Sequence, residues 1–297
     1  MRVQFNCFDC PRQCGVFKTE DKASGFCMGY SLPAIARAAA HFGEEPCISG
    51  SRGSGTIFFT GCNLRCVFCQ NHEISRGLGG KTVSVEKLRD IMLSLRDQGV
   101  HNINLVTPSH YVRSIAKALE GLELGIPVVW NSSGYDSVES LKMLEGLVQV
   151  YMPDFKYALS QPAKLYSAAE DYPHVAKAAI KEMYRQTGPF VLDDEGMLKS
   201  GLLIRHLILP HQELNAMETI DFVAESFPKD SVLFSLMSQY TPMPGLENFP
   251  ELQERVDSRT NAKLISYMQK VGIELGYWQD GESATDEMIP DFDLTGV

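Results

Sequence analysis

Six short β-rich runs alternate with helical segments, and that rhythm narrows the fold more than any other feature. The runs are GTIFFT (55–60), NINLVT (102–107), IPVVWN (126–131), VQVYMP (148–153), LLIRHLIL (202–209) and SVLFSLM (231–237). Between them, SVEKLRDIMLSLRDQG (84–99) puts Val85, Leu88, Ile91, Met92 and Leu95 on one helical stripe. Ser84 is placed to cap its start and Gly99 to stop it. DSVESLKMLEG (136–146) and NAMETIDFVAESF (215–227) behave alike, and ELQERVDSRTNAKLISYMQKVG (251–272) reads as the last long helix. Strands joined through helices return to the same end of a sheet and pair in parallel. The expected class is α/β, either a doubly wound sheet or a partial barrel. In both, chemistry gathers at the carboxyl ends of the strands.

The first such end carries GCNLRCVFCQN (61–71), where Cys62, Cys66 and Cys69 are spaced C-x3-C-x2-C. A cubane iron–sulfur cluster normally takes four thiolates. Three leave one iron open, as a catalytic metal keeps an open position. A structural zinc loop is the bland alternative, but zinc wants a fourth ligand and only His72 follows closely.

All eight cysteines lie in the first 69 residues, and seven of them form two clusters. In a reducing cytosol such clusters mean metal or redox chemistry more often than disulfides. The N-terminal cluster spaces Cys7, Cys10, Cys14 and Cys27 as C-x2-C-x3-C-x12-C. By count it suits a closed zinc site or an auxiliary iron–sulfur cluster, and paired cysteine turns lean it toward zinc. Cys47 stands apart as a buried thiol or an extra ligand.

The organisation expected is a Cys-rich module over 1–50, an α/β core over 51–275 and an acidic, turn-rich tail over 276–297 docked through its aromatics. A net charge of −10 disfavours nucleic acid bound by bulk charge. No apolar run approaches the roughly 20 residues of a membrane span. The N-terminus lacks the apolar core of a signal peptide, so a cytoplasmic location is expected.

The C-x3-C-x2-C loop after the first strand of a (β/α)6 chain, with Phe68 before the third cysteine, resembles the radical S-adenosylmethionine (SAM) superfamily. The segments EEPCISGSRGSGTIFF, CVFCQN, NINLVTPSH, NSSGY, PDFKY and IRHLILP, in that order, are similar to a branch akin to pyruvate formate-lyase activating enzyme. The resemblance implies a partial (β/α)6 TIM-like barrel with the small Cys-rich module appended. It implies a [4Fe-4S] cluster on Cys62, Cys66 and Cys69 whose open iron chelates SAM. One electron from the reduced cluster, supplied by a donor such as flavodoxin or ferredoxin, would cleave SAM to a 5′-deoxyadenosyl radical. That radical would abstract hydrogen from a substrate, a glycine of a glycyl-radical enzyme in this branch, under anaerobic conditions.

Residue by residue, the resemblance gives Asn71, Asn131 and Ser133 as cofactor contacts. It places Asp154, Lys156 and Arg205 in the active site. The Gly-Gly-Glu that normally ends the second strand is replaced by Thr107, Pro108, Ser109 and His110; Thr107 is left to offer a hydroxyl or carbonyl. A His that usually ends the sixth strand is replaced by Gln239 and Tyr240. Asp154 and Lys156 share a strand face and also suit a plain ion pair, whereas Arg205 and His206 point to opposite faces. Those departures, and the N-terminal module, keep open a stand-alone radical SAM enzyme acting on a small molecule, peptide or RNA. A non-catalytic iron–sulfur redox protein is the third reading.

Overall fold

The computed structural model describes residues 3–278 and 290–297. Its sheet is built from β1 (Ala34–His41), β2 (Ser54–Phe59), β3 (Ile103–Val106), β4 (Val128–Ser132), β5 (Val150–Pro153), β6 (Leu198–Leu207), β7 (Leu233–Met237) and β8 (Gly276–Trp278). Spatial order follows chain order from β1 to β8, and two-residue strands at Lys81–Thr82 and Val191–Leu192 pair antiparallel with the start of β1 and with β6. β2 to β8 are parallel, and β1 runs antiparallel to β2. A doubly wound sheet reverses its order at a switch point. The parallel strands of this sheet never do, so the winding is that of a barrel. Among the described residues no pairing joins its two edges, and the barrel stays open.

The six expected strands are present, and β8 adds a seventh parallel strand from the stretch assigned to the tail. Gly276 makes that pairing possible: a Cβ there would collide with the Phe234 carbonyl. The sheet also begins earlier than the expected core, because the Ala-rich stretch inside the first fifty residues is the strand β1. Ala36 and Ala38 keep the space around it small, and the far end of the chain lies along its free edge. The Leu294 N–H donates to Ala36 O at 3.0 Å and the Ala38 N–H to Thr295 O at 2.8 Å. Phe292 packs on Phe58 with ring centres 5.5 Å apart. An edge covered in this way offers no template for another chain. Residues 279–289 of the expected tail lie outside the described residues.

The helix Val85–Asp97 starts where the pattern places it, with the Lys87 N–H donating to Ser84 Oγ at 3.1 Å. The expected helix over 251–272 is shorter, a single 3-10 turn (Pro250–Gln253) and then Ser258–Lys270. Asp257 explains the break, since its carboxylate accepts from the Thr260 N–H and caps a new start. Two helices between β5 and β6, Ser160–Ser167 and Tyr172–Thr187, lay outside the segments read from spacing. No helix among the described residues is long and apolar enough to cross a membrane.

Side chains alternate across a strand, so each strand sends every second residue into the bore. At the amino ends these are Val129, Val150, Leu203 and Leu233, closed from below by Cys47 and Ile48 of the short helix Pro46–Ser49. Asn102 fastens that plug by donating to Ile48 O at 2.7 Å. One residue pair further up, Asn131, Arg205 and Ser235 turn the same faces polar, and Asp154 joins them two pairs above Val150. The bore is thus a dry floor beneath a charged layer, with the strand ends above.

Candidate active site

β2 delivers the chain to Gly61, whose φ is +89°. A Cβ there would sit 2.4 Å from the Cys27 carbonyl oxygen, so only glycine lets the two segments meet. The Cys62 N–H donates to that same carbonyl at 3.1 Å. Cys62 Sγ in turn accepts from the N–H groups of Leu64 and Arg65 at 3.3 and 3.4 Å. Phe68 anchors the far side of the loop among Tyr157, Tyr166 and Tyr240, all at ring-centre distances between 6.2 and 6.4 Å. Asn63 and Arg12 fix the middle: Asn63 Nδ2 donates to Tyr135 O at 2.6 Å, and Arg12 Nε donates to Asn63 O at 2.9 Å.

The loop brings Cys62, Cys66 and Cys69 together as free cysteines, the first two buried and the third half-buried. Burial pushes the Cys62 thiol up to about 12, against the pull of the Arg65 N–H, and the neighbouring Cys66 and Cys69 add to the rise. Burial raises Cys69 as well, followed by Cys66. Buried thiols of this kind favour the protonated form, so a metal bound here must displace protons. Among the described residues no three His, Cys, Asp or Glu side chains stand as ligands of a single ion. A cubane distributes its thiolates over different irons, so this placement is compatible with one.

Below the loop lies the charged layer. Asp154 accepts from Lys156 Nζ at 2.6 Å and from Arg205 Nε at 2.9 Å. Burial works to raise the Asp154 carboxyl, but Arg205 and Lys156 outweigh it and hold it below its usual range. Burial works equally against the Lys156 ammonium, yet Asp154 and then the sulfur of Cys66 leave it raised. Lys156 thus spans from the carboxylate toward the cysteine loop. The ion pair that the sequence offered as the bland alternative exists, and it lies in the bore beside the cysteines.

Arg205 faces inward, while His206 turns away and bonds Phe155 O at 2.7 Å. Two further donors of Arg205 are also taken: Nη1 by Glu44 Oε2 at 2.8 Å and Nη2 by Asn131 Oδ1 at 2.7 Å. Glu44 Oε1 accepts from the side-chain amides of Asn104 and Asn131 at 3.0 and 3.1 Å. Asn131 is therefore committed to Arg205 and Glu44 at both ends of its amide. Sequence reasoning missed Glu44, Asn104 and the buried Glu45. The signal for the acids was two adjacent glutamates before a proline, embedded in small and apolar residues.

Other candidates differ in what surrounds them. Ser133 Oγ and Gln239 Oε1 are buried acceptors with no partner among the described residues, on the strand ends of β4 and β7. Orphaned polar atoms of that kind ask for a ligand. Thr107 has φ +59°, a strained setting for a β-branched residue just past β3, and its N–H donates to Asn131 O at 2.9 Å. Asn71 begins the short helix His72–Ser75 without capping it through its side chain. His110 lies away from the bore, buried, with Nε2 2.9 Å from Thr60 O. Tyr240 donates to Leu252 O at 2.6 Å.

At the N-terminus, Cys7, Cys10 and Cys27 are buried and Cys14 is exposed. Burial drives the Cys10 thiol up to about 12; Cys27, Cys7 and Cys14 each add to it, so the four feel one another. They stand directly against the 61–71 cysteine loop through the Cys27 carbonyl and through Phe26, over which the Arg12 guanidinium lies at 3.9 Å.

A cluster with an open corner fits these residues. It needs three thiolates in a loop rich in N–H···S bonds, and free polar groups nearby to receive a nucleotide. Comparison with known proteins agrees. The family model of the radical SAM superfamily matches residues 56–153. The uncharacterized protein MJ0674 of Methanocaldococcus jannaschii is 30% identical over 286 residues, 92% of this chain and 77% of that protein. Among solved structures, SuiB of Streptococcus suis bound to the precursor peptide SuiA superposes with a TM-score of 0.52 at 15% identity, over 74% of this chain. SuiB bound to S-adenosylmethionine gives 0.50 at 14% identity over 77%. The chain spans 46% of SuiB in both cases, so this likeness speaks for the fold alone. Loop spacing, barrel winding and the family model converge: the chain belongs to the radical SAM superfamily.

Proposed function

We propose that the protein is a cytoplasmic, oxygen-sensitive oxidoreductase in which Cys62, Cys66 and Cys69 hold a [4Fe-4S] cluster that binds SAM. When bound and reduced, the cluster supplies the electron that splits SAM into methionine and a 5′-deoxyadenosyl radical. The observation that carries this reading is the three-cysteine loop at the carboxyl end of β2, set above Lys156, with orphaned Ser133 Oγ and Gln239 Oε1 on the neighbouring strand ends.

The residues divide the work by position. Lys156 and Asp154 set the charge beneath the loop. Ser133, Gln239, Asn71 and the Thr107 turn are the groups left to receive SAM. Arg205, with three donors already engaged, acts chiefly by holding Asp154 and Asn131 in place. The apolar floor at Cys47 and Ile48 excludes water from below, which protects a radical from side reactions. The N-terminal quartet is read as a second metal centre, zinc or an auxiliary iron–sulfur cluster; since among the described residues no three of its thiols converge on a single ion, a cluster suits them better. Eight free cysteines support a reducing compartment.

For the substrate, the activating-enzyme reading follows the resemblance: hydrogen abstraction from a glycine Cα of a glycyl-radical enzyme, with flavodoxin or ferredoxin as electron donor. A second reading, a stand-alone enzyme for a small molecule or peptide, is favoured by the strained Thr107 turn where that branch carries Gly-Gly-Glu. The test is anaerobic incubation of reduced protein with SAM and candidate partners. Release of 5′-deoxyadenosine supports the radical SAM activity, and its absence from cluster-loaded protein overturns it. A glycyl-radical doublet in paramagnetic resonance supports the first substrate. Turnover stimulated by a metabolite or peptide, with no doublet, supports the second.

A further inference from the structure

Lys18 is fully buried, although it belongs to a small surface hairpin (Phe5–Asn6 with Phe17–Lys18). Among the described residues no carboxylate pairs with it. Its Nζ has two polar neighbours, Cys27 Sγ and the His110 carbonyl, each at 3.5 Å. The ring of Tyr111 lies 5.7 Å away. Burying an ammonium without an anion is among the costliest arrangements a protein can hold. The group within its reach that is able to become an anion is the Cys27 thiol.

The surroundings are shaped for this contact. A Cβ on Gly29 would sit 2.9 Å from Lys18 Nζ and 3.2 Å from Cys27 Sγ, so the glycine clears the approach. A Cβ on Gly25 would come 3.3 Å from Cys14 Sγ, which opens the other side of the quartet. His110, pressed against the same glycine, is neutral: burial and then Lys18 push it down to about 3. It supplies no compensating charge.

We propose that Lys18 is the internal counter-cation of an anionic thiolate metal centre on Cys7, Cys10, Cys14 and Cys27, donating an N–H to Cys27 Sγ. This rests on the reading that the quartet holds a metal. Four thiolates outweigh a divalent core, zinc or cluster alike, so the complex stays negative and needs a cation beside it. Lys18 meets that need and ties the centre to the body of the fold through His110. Because the Cys27 carbonyl also receives the Cys62 N–H, the electrostatics of one centre are coupled mechanically to the loop of the other.

The experiment compares wild type, Lys18→Met and a Cys10→Ala/Cys14→Ala control, all prepared anaerobically. Iron, sulfide and zinc are quantified, and melting is followed with metal loaded and with metal stripped. Wild type is expected to carry more metal than the control, and the iron, sulfide and zinc values say which kind. Equal metal in wild type and control overturns the quartet reading and this inference with it. If wild type carries the extra metal, Lys18→Met should lower the melting temperature of loaded protein, raise that of stripped protein, and speed release to a chelator about tenfold. A shift of both melting temperatures in one direction, or an unchanged release rate, overturns the inference alone. Should Lys18→Met fail to fold, Lys18→Arg must retain metal better than Lys18→Gln; equal retention also overturns it.

Discussion

Glu44 Oε2 accepts from Arg205 Nη1 at 2.8 Å, joining the loop that plugs the barrel floor to the sixth strand of the sheet. Their side chains are 10% and 13% exposed, so solvent screens the pair little. Removing one partner of such a pair costs about 3–5 kcal/mol, because the other charge is left buried. Arg205→Met should destabilise by that order, whereas Glu44→Gln should cost less, about 1–2 kcal/mol, because Asp154 stays on Arg205 Nε. The double variant should cost less than the sum, with a coupling above about 1 kcal/mol in urea denaturation. Additive losses would show that the two act independently.

Arg12 clasps the N-terminal module to the cysteine loop. Beyond Asn63 O, it donates to Ser167 O at 2.8 Å and Ala168 O at 2.5 Å, and it lies over Phe26. Arg12→Ala removes three hydrogen bonds and a cation–π contact, a loss of about 2–4 kcal/mol. Amides of residues 61–69 should then exchange faster in deuterium, while those of Tyr172–Thr187 should not. Arg12→Lys should recover little, since one ammonium cannot reach three carbonyls at fixed angles. Unchanged exchange in 61–69 would rule out the clasp.

The sequence carries the winding of this fold plainly, because strand and helix periods alternate and Cys62, Cys66 and Cys69 follow the first parallel strand. Asp154 and Lys156 were visible too, as same-face residues two apart. What stayed hidden depends on contacts between distant segments. The Ala-rich stretch of β1 has no apolar–polar alternation, because alanine occupies both of its faces. β8 is three residues long and is identified only by pairing with β7. Glu44 looks like a surface acid until Arg205, 161 residues away, is brought beside it. Lys18 looks like an ordinary hairpin lysine until the Cys27 turn folds over it.

Gly61 tests whether the meeting of the two cysteine segments is needed for metal loading. Gly61→Ala places a methyl against the Cys27 carbonyl and forces φ +89° on an L side chain. Since the obstacle is backbone, the loop must move. Iron per chain after anaerobic reconstitution should fall to less than half of wild type, with the helix Val85–Asp97 still folded by circular dichroism. Full iron loading in Gly61→Ala would mean the loop binds its cluster independently of Cys27.

Acid should weaken the fold through its buried histidines. His206 is buried with Nδ1 donating to Phe155 O, and burial pushes it down to about 4 from its usual 6.5. Between those values the unfolded chain takes up a proton that the folded chain refuses, so stability falls as pH drops through that window. The full difference amounts to roughly 3 kcal/mol. Asp154 acts lower down: its depressed carboxyl contributes stability above 3.8 that is lost only as pH falls further toward its folded value. His110, pushed down to about 3, acts in the same direction over the same window. Urea midpoints should therefore decline from pH 6.5 to 4.5, and His206→Gln should remove part of that decline while leaving the part due to His110 and the steep loss below pH 4. A decline in His206→Gln as steep as that of wild type would mean that His206 is protonated inside the fold.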